Sequence, residues 1–240
     1  MYRILHIETS SEICSVALSE NDLLIGQKES EEERSHASML TLLIDGIMKE
    51  AGIQFHQLGA VAVSKGPGSY TGLRIGVSAA KGICFAHDLP LIGINTLEAL
   101  ATGILEKEKS KIEYLGFSNE DYVCPLIDAR RMEVYTAIYD SVGREVKGPH
   151  ALILKEGIFE DMLQQKRILF LGSGAEKASE IIRHPNAIFL YRVNPQAEFM
   201  VHLGSKAFEE KHFEDVAYFE PYYLKEFIAT TPRKNMLGKP

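Results

Sequence analysis

Cysteine is scarce in this chain: three residues in 240, Cys14, Cys84 and Cys124, odd in number and far apart. Each has apolar neighbours, which excludes a disulfide framework and points to buried free thiols in a reducing compartment. No apolar run approaches the roughly 20 residues a membrane helix needs. The first 22 residues carry one arginine and no long apolar core, unlike a secretory leader. A cytoplasmic protein is expected. Basic charge is also in deficit, with 26 Lys and Arg against 33 Asp and Glu and a net charge of −7. Phosphate neutralisation supplies most non-specific affinity for nucleic acid, so the chain alone should hold it poorly. The acidic run Glu31–Glu33 points the same way. Metal-ligand spacing is missing too: the eight histidines contain no H-x-x-x-H or HExxH pair.

What is present is a doubled pattern. "RILHIETS", "ICSVALS" and "LLIGQKES" read as three consecutive strands, with a hairpin turn at Asn21-Asp22. A helix is expected over about Arg34 to Ala51, capped by Gly52 in a left-handed conformation. The strand "GAVAVS", a glycine loop, a helix to about His87, the strand "PLIGIN" and a helix to about Glu108 follow. "KEKSKIEYLGFSNED" is charged, without apolar periodicity, and reads as a linker. The order then restarts with "YVCPLIDAR", "EVYTAIYDS" and "REVKGPHALIL", a helix over Lys155 to Gln165, and "RILFLGSGA" entering a second glycine turn. Another helix, the strand "AIFLY" and a helix over about Pro195 to Lys211 complete it. Alternating strands and helices imply sheets covered by helices, and the repeat implies two similar α/β lobes around a cleft. The expected division is 1–108, 109–228 and a loose tail at 229–240.

The glycine loop "KGPGSYTGLRIGVSAAKG" is neither a Walker A motif nor GxGxxG. It offers a strand, a sharp turn at Gly66-Pro67-Gly68 and a helix N-terminus capped by Ser69, a form suited to an anion. Its helix places Gly72, Gly76, Ala79 and Ala80 on one side. Glycine inside a helix costs about 1 kcal/mol against alanine, so this stripe needs a close neighbour. On the preceding helix Leu40, Leu43, Ile44, Ile47 and Ala51 form an apolar face that Met39 and Leu42 widen. An arc wider than the lobe's own core requires suggests a second partner.

"ILHIETSSEICSVAL", the glycine-loop segment, "DARRMEVY" and the terminal "PYYLKE" closely resemble the TsaB (YeaZ) family over about residues 1 to 228. The resemblance implies the duplicated two-lobe fold of the ASKHA group (acetate and sugar kinase, Hsc70, actin), related to the ribonuclease H-like folds. It implies a non-catalytic scaffold in making N6-threonylcarbamoyladenosine at position 37 of ANN-decoding tRNAs. The implied partners are the larger paralogue TsaD, which is the transferase, and the ATPase TsaE, with a homodimer as an alternative pairing. tRNA would be reached only through the complex. The helices matching Arg34–Ala51 and Ser69–His87 pair with TsaD in the family. This puts the expected interface on His36, Met39, Leu40, Leu43, Ile47, Tyr70, Leu73, Gly76, Val77 and Ala80. TsaD holds its metal with two histidines whose matching positions here are Thr96 and Leu100, and leucine has no lone pair to give. No tightly bound cofactor is expected in this chain, with ATP or ADP a matter for the complex.

Two rival readings stand beside the scaffold. The first is an ASKHA ATPase or small-molecule kinase, with Ser10, Asp128 and the Gly172–Gly174 turn as its nucleotide-binding residues. The turn "GSGA" is weak evidence, and Glu8 stands where kinases of this fold carry an aspartate followed by glycine. The second is a peptidase, disfavoured for want of metal ligands or a GxSxG motif.

Overall fold

The computed structural model describes residues 1–30 and 36–225, the His36 side chain excepted. The Glu31–Glu33 run, the expected helix start at Arg34 and the 229–240 tail lie outside the described residues.

The first sheet contains β1 (Arg3–Glu8), β2 (Cys14–Glu20), β3 (Leu23–Ser30), β4 (Ala60–Gly66) and β5 (Leu91–Asn95). Its order is β3-β2-β1-β4-β5, with β1, β4 and β5 parallel and the hairpin strands antiparallel. Helices α1 (His36–Ala51), α2 (Tyr70–His87) and α3 (Thr96–Lys107) belong to the same half. The second half repeats the plan. Its strands are β6 (Tyr122–Asp128), β7 (Glu133–Asp140), β8 (Glu145–Ile153), β9 (Ile168–Leu171) and β10 (Ala187–Leu190). Their order, β10-β9-β6-β7-β8, is the first order with each strand replaced by its counterpart. The duplicated α/β fold is therefore present, with a sheet in each lobe.

Alternation along β1 and β4 sets the layers. Leu5, Ile7, Val61 and Val63 face a core shared with Leu40, Leu43, Ile44 and Ile47 of α1 and Val77, Ala80 and Cys84 of α2. The residues between them, Ile4, Ala60 and Ala62, face the other way. That second core is common to both lobes: it joins Leu97, Leu100 and Ile104 of α3 to Val123, Ile127, Ala137 and Tyr139 of the second sheet. α3 contacts β6 and β7, while α7 (Val201–Glu209) and the 3-10 turn Ala197–Met200 return to β1, β2 and β5. α3 thus packs between the two sheets, and α7 packs on the first.

Local differences from the sequence reading have local causes. The charged stretch after α3 is no linker but forms α4 (Lys109–Tyr114), because Ile112 and Phe117 insert into the shared core. The helix expected over Lys155 to Gln165 shortens to α5 (Glu160–Leu163), since Gly157 takes a φ of +74°. The helix expected from Pro195 begins as the 3-10 turn. The seventh helix is preceded by α6 (Ala175–Ile181). Gly52, at φ +65°, ends α1 as expected.

Candidate functional site

A cleft of about 900 Å³ lies where the two halves meet. Ser10, Ser69 and Thr71 line it from one side, and Asp128, Arg130 and Ser173 from the other. The glycine loop forms one wall, and two of its backbone donors are engaged within the chain. Ser69 N–H donates to Ser10 O at 2.7 Å, and Gly72 N–H donates to the Ser69 hydroxyl at 3.3 Å, which makes Ser69 the helix cap. The Thr9 hydroxyl donates to Gly72 O at 2.8 Å. A Cβ at Gly72 would collide with Thr9 O, and one at Gly76 with Thr9 Oγ1. The close neighbour that the glycine stripe requires is therefore the turn after β1 in the same lobe.

The second glycine turn is pressed onto β6 in the same way. Gly174 N–H donates to Leu126 O at 2.8 Å, and a side chain at Gly172 would strike that carbonyl. Neither glycine lines the cleft, whereas Ser173 between them does and accepts Asp128 N–H at 3.0 Å. These glycines serve close packing of a turn against a strand.

The carboxylates at the two strand ends are engaged as well. Asp128 Oδ1 takes the Lys177 ammonium at 2.9 Å, and the same Nζ also donates to the carbonyls of Arg131 and Glu133. Glu8 is completely buried, accepting Ser10 N–H at 2.5 Å and the Ser64 hydroxyl at 3.0 Å on Oε1. Its Oε2 and the Ser10 hydroxyl have no hydrogen-bond partner among the described residues. Burial holds the Glu8 carboxyl above the usual carboxylate range. Of these two carboxylates, Glu8 has no exposed surface, and Asp128, which lines the cleft, is paired with Lys177.

The remaining titratable groups of the interior are quiet. His6 is pushed down to about 3 by burial and is neutral, with Nε2 at 2.9 Å from Ser19 Oγ. Burial pushes the Cys14 thiol up to about 11 and those of Cys84 and Cys124 up to about 12, so none is a thiolate at neutral pH. Thr96 and Leu100 are both buried, and Leu100 packs against Gly172.

The expected interface needs correction. Leu40, Leu43, Ile47, Leu73, Gly76, Val77 and Ala80 are buried in their own lobe, so they are core rather than surface. Met39 and Tyr70 are half-buried, and the His36 side chain lies outside the described residues. The apolar groups that the two helices leave outside are Leu42 of α1, 62% exposed, and Phe85 of α2, 86% exposed. Leu42 belonged to the widened arc; Phe85 is absent from the expected interface because its helix supplies enough other apolar residues to fill the core.

A family model described as "TsaD: tRNA N6-adenosine threonylcarbamoyltransferase" matches residues 27–233. The Escherichia coli (strain K12) protein named "tRNA threonylcarbamoyladenosine biosynthesis protein TsaB" is 31% identical over 237 residues, covering 95% of this chain and 96% of that protein. The chain belongs to the TsaB family. TsaB-family character extends to the fold: the solved YeaZ from Pseudomonas aeruginosa superposes with a TM-score of 0.79 at 25% identity, covering 93% of this chain and 100% of that one. A tRNA N6-adenosine threonylcarbamoyltransferase from Halalkalibacterium halodurans matches a shorter stretch, 42% identical over 108 residues, or 38% of this chain and 32% of that protein. A TsaB-family chain is thus alike to TsaB proteins throughout and to a transferase in part.

Proposed function

We propose that this TsaB-family chain acts in forming N6-threonylcarbamoyladenosine at position 37 of ANN-decoding tRNAs, as a non-catalytic partner of a TsaD-like transferase. The observation that carries the reading is the full-length likeness to a TsaB protein named for that biosynthesis. Leu100 has no lone pair to offer a metal, Glu8 is completely buried, and Asp128 is paired with Lys177. The ATPase reading built on Asp128 and the Gly172–Gly174 turn finds no support in that arrangement. A TsaE-like ATPase would dock across the pair, any ATP or ADP would belong to the complex, and the net charge of −7 leaves tRNA binding to the partners. The same helix face would serve a homodimer when the transferase is absent.

Reconstitution tests this. The purified chain with threonylcarbamoyl-adenylate and unmodified tRNA should give no product, while adding the transferase should give product that depends on the chain. Modification by the lone chain, or full activity of the transferase without it, would overturn the reading.

The docking face makes a separate prediction. Leu42→Asp and Phe85→Asp should each weaken binding of the transferase about tenfold or more, as expected for apolar anchors at a contact. Both side chains are exposed in the free chain, so each melting temperature should move by no more than about 2 °C. Unchanged affinity at both positions would place the contact elsewhere.

A further inference from the structure

Tyr222 to Lys225 of the "PYYLKE" motif cross the cleft. After α7 the chain returns over the first lobe. Glu214 N–H donates to Leu91 O at 2.8 Å at the free edge of β5. Lys81 of α2 donates to the carbonyls of Ala217 at 3.1 Å and Phe219 at 2.9 Å. Tyr222 N–H then donates to Lys65 O at 2.7 Å, directly before the glycine loop. A Cβ at Gly66 would lie 2.7 Å from Tyr222 O, so glycine is what admits the strap here. The Tyr223 ring packs on Tyr70 with centroids 4.9 Å apart. Lys225 then pairs with Glu133 of β7, in the other lobe. Residues Tyr222 to Lys225 all line the cleft.

We propose that Tyr222–Lys225 is an inter-lobe latch that closes the mouth of the cleft and holds the lobes at one setting. Its two ends are unequal. The first-lobe end is fixed by a main-chain hydrogen bond and a ring contact, both tied to the glycine loop. Among the described residues the second-lobe end is an ion pair whose side chains keep 41% and 21% of their exposure, and pairs of that kind are weak. The latch therefore releases from Glu133 first, and the freed strap then opens more readily at its Tyr222 hydrogen bond to the first lobe. Anything entering the cleft from this side, or any partner that resets the lobe angle, must displace Leu224 and Lys225.

The test uses the full chain alone. Two readouts serve: hydrogen exchange at the Tyr222 amide, and the distance between spin labels at exposed Ala86 and Glu156, one on each lobe. Lys225→Glu and Glu133→Lys should each accelerate Tyr222 exchange about two- to fivefold, equivalent to about 0.4–1 kcal/mol, and broaden the label distance. The double reversal should restore both readouts, which separates the latch from a mere folding defect. Tyr223→Ala should accelerate exchange about tenfold through loss of the ring contact. Unchanged exchange and distances in the single reversals would overturn the proposal. So would a double reversal that behaves no better than either single one.

Discussion

Gly76→Leu is expected to lower the melting temperature by about 4–8 °C. Any Cβ at this position meets Thr9 Oγ1, and the hydroxyl it would displace donates to Gly72 O. Overpacking a close contact of this kind costs up to about 3 kcal/mol. For a chain of this size each kcal/mol is worth about 2–4 °C. Helix propensity works in the opposite direction, because glycine is about 1 kcal/mol worse than other residues in a helix interior. The steric term is larger and fixes the sign. Gly72→Ala should behave likewise, since its Cβ would run into the Thr9 carbonyl, which cannot rotate away. Gly82→Ala, in the same helix, is the control: a Cβ there meets nothing within 4 Å, so the variant should gain up to about 1 kcal/mol. Thermal melts of the three variants decide the matter. Were Gly76→Leu to melt like the parent while losing only affinity for the transferase, the small-residue side of α2 would be an interface after all.

Changing Glu8 should alter how stability depends on pH. Desolvation is the leading influence on this carboxyl and raises it, while hydrogen bonds from Ser10, Ser64 and Thr9 favour the anion without prevailing. A carboxyl raised by folding contributes stability that is complete below its unfolded value, about 4.3 for glutamate. That contribution is lost as pH rises through the folded value. Glu8→Gln keeps an acceptor for the Ser10 N–H and Ser64 hydroxyl but carries no charge. Its amide N–H bears a burial penalty at every pH, so the trend is diagnostic rather than the absolute stability. The variant should gain on the parent as pH climbs above the unfolded value, until the folded carboxyl itself ionises. A constant gap would mean that Glu8 titrates as it does in the unfolded chain, and a gap moving in the parent's favour would mean that the anion is the preferred form. Glu8→Ala should be worse than either, at about 1–3 kcal/mol for each buried donor left without its acceptor.

These predictions separate what was legible in the sequence from what was not. The sequence by itself determined the doubled strand-and-helix order, the Ser69 cap, the Gly52 stop and the glycine turns. Each is set by interactions within a few residues: alternation along a strand, a hydroxyl reaching a helix N-terminus, a φ that side chains resist. It also carried the family, through motifs contiguous in the chain. The tertiary structure alone decided which way each apolar face points. A helix with small residues on one side and branched residues beside them packs equally well on a sheet or a partner, and only the position of Thr9 turns Gly76 inward. Only the fold shows that Phe85 is left outside, that Lys177 neutralises Asp128 from 49 residues away, and that α3 crosses to the second sheet. Lys225 meets Glu133 across 92 positions of chain, a separation at which local pattern carries no information about contact. Orientation and long-range pairing are properties of the assembled layers, so they appear once both sheets are in place.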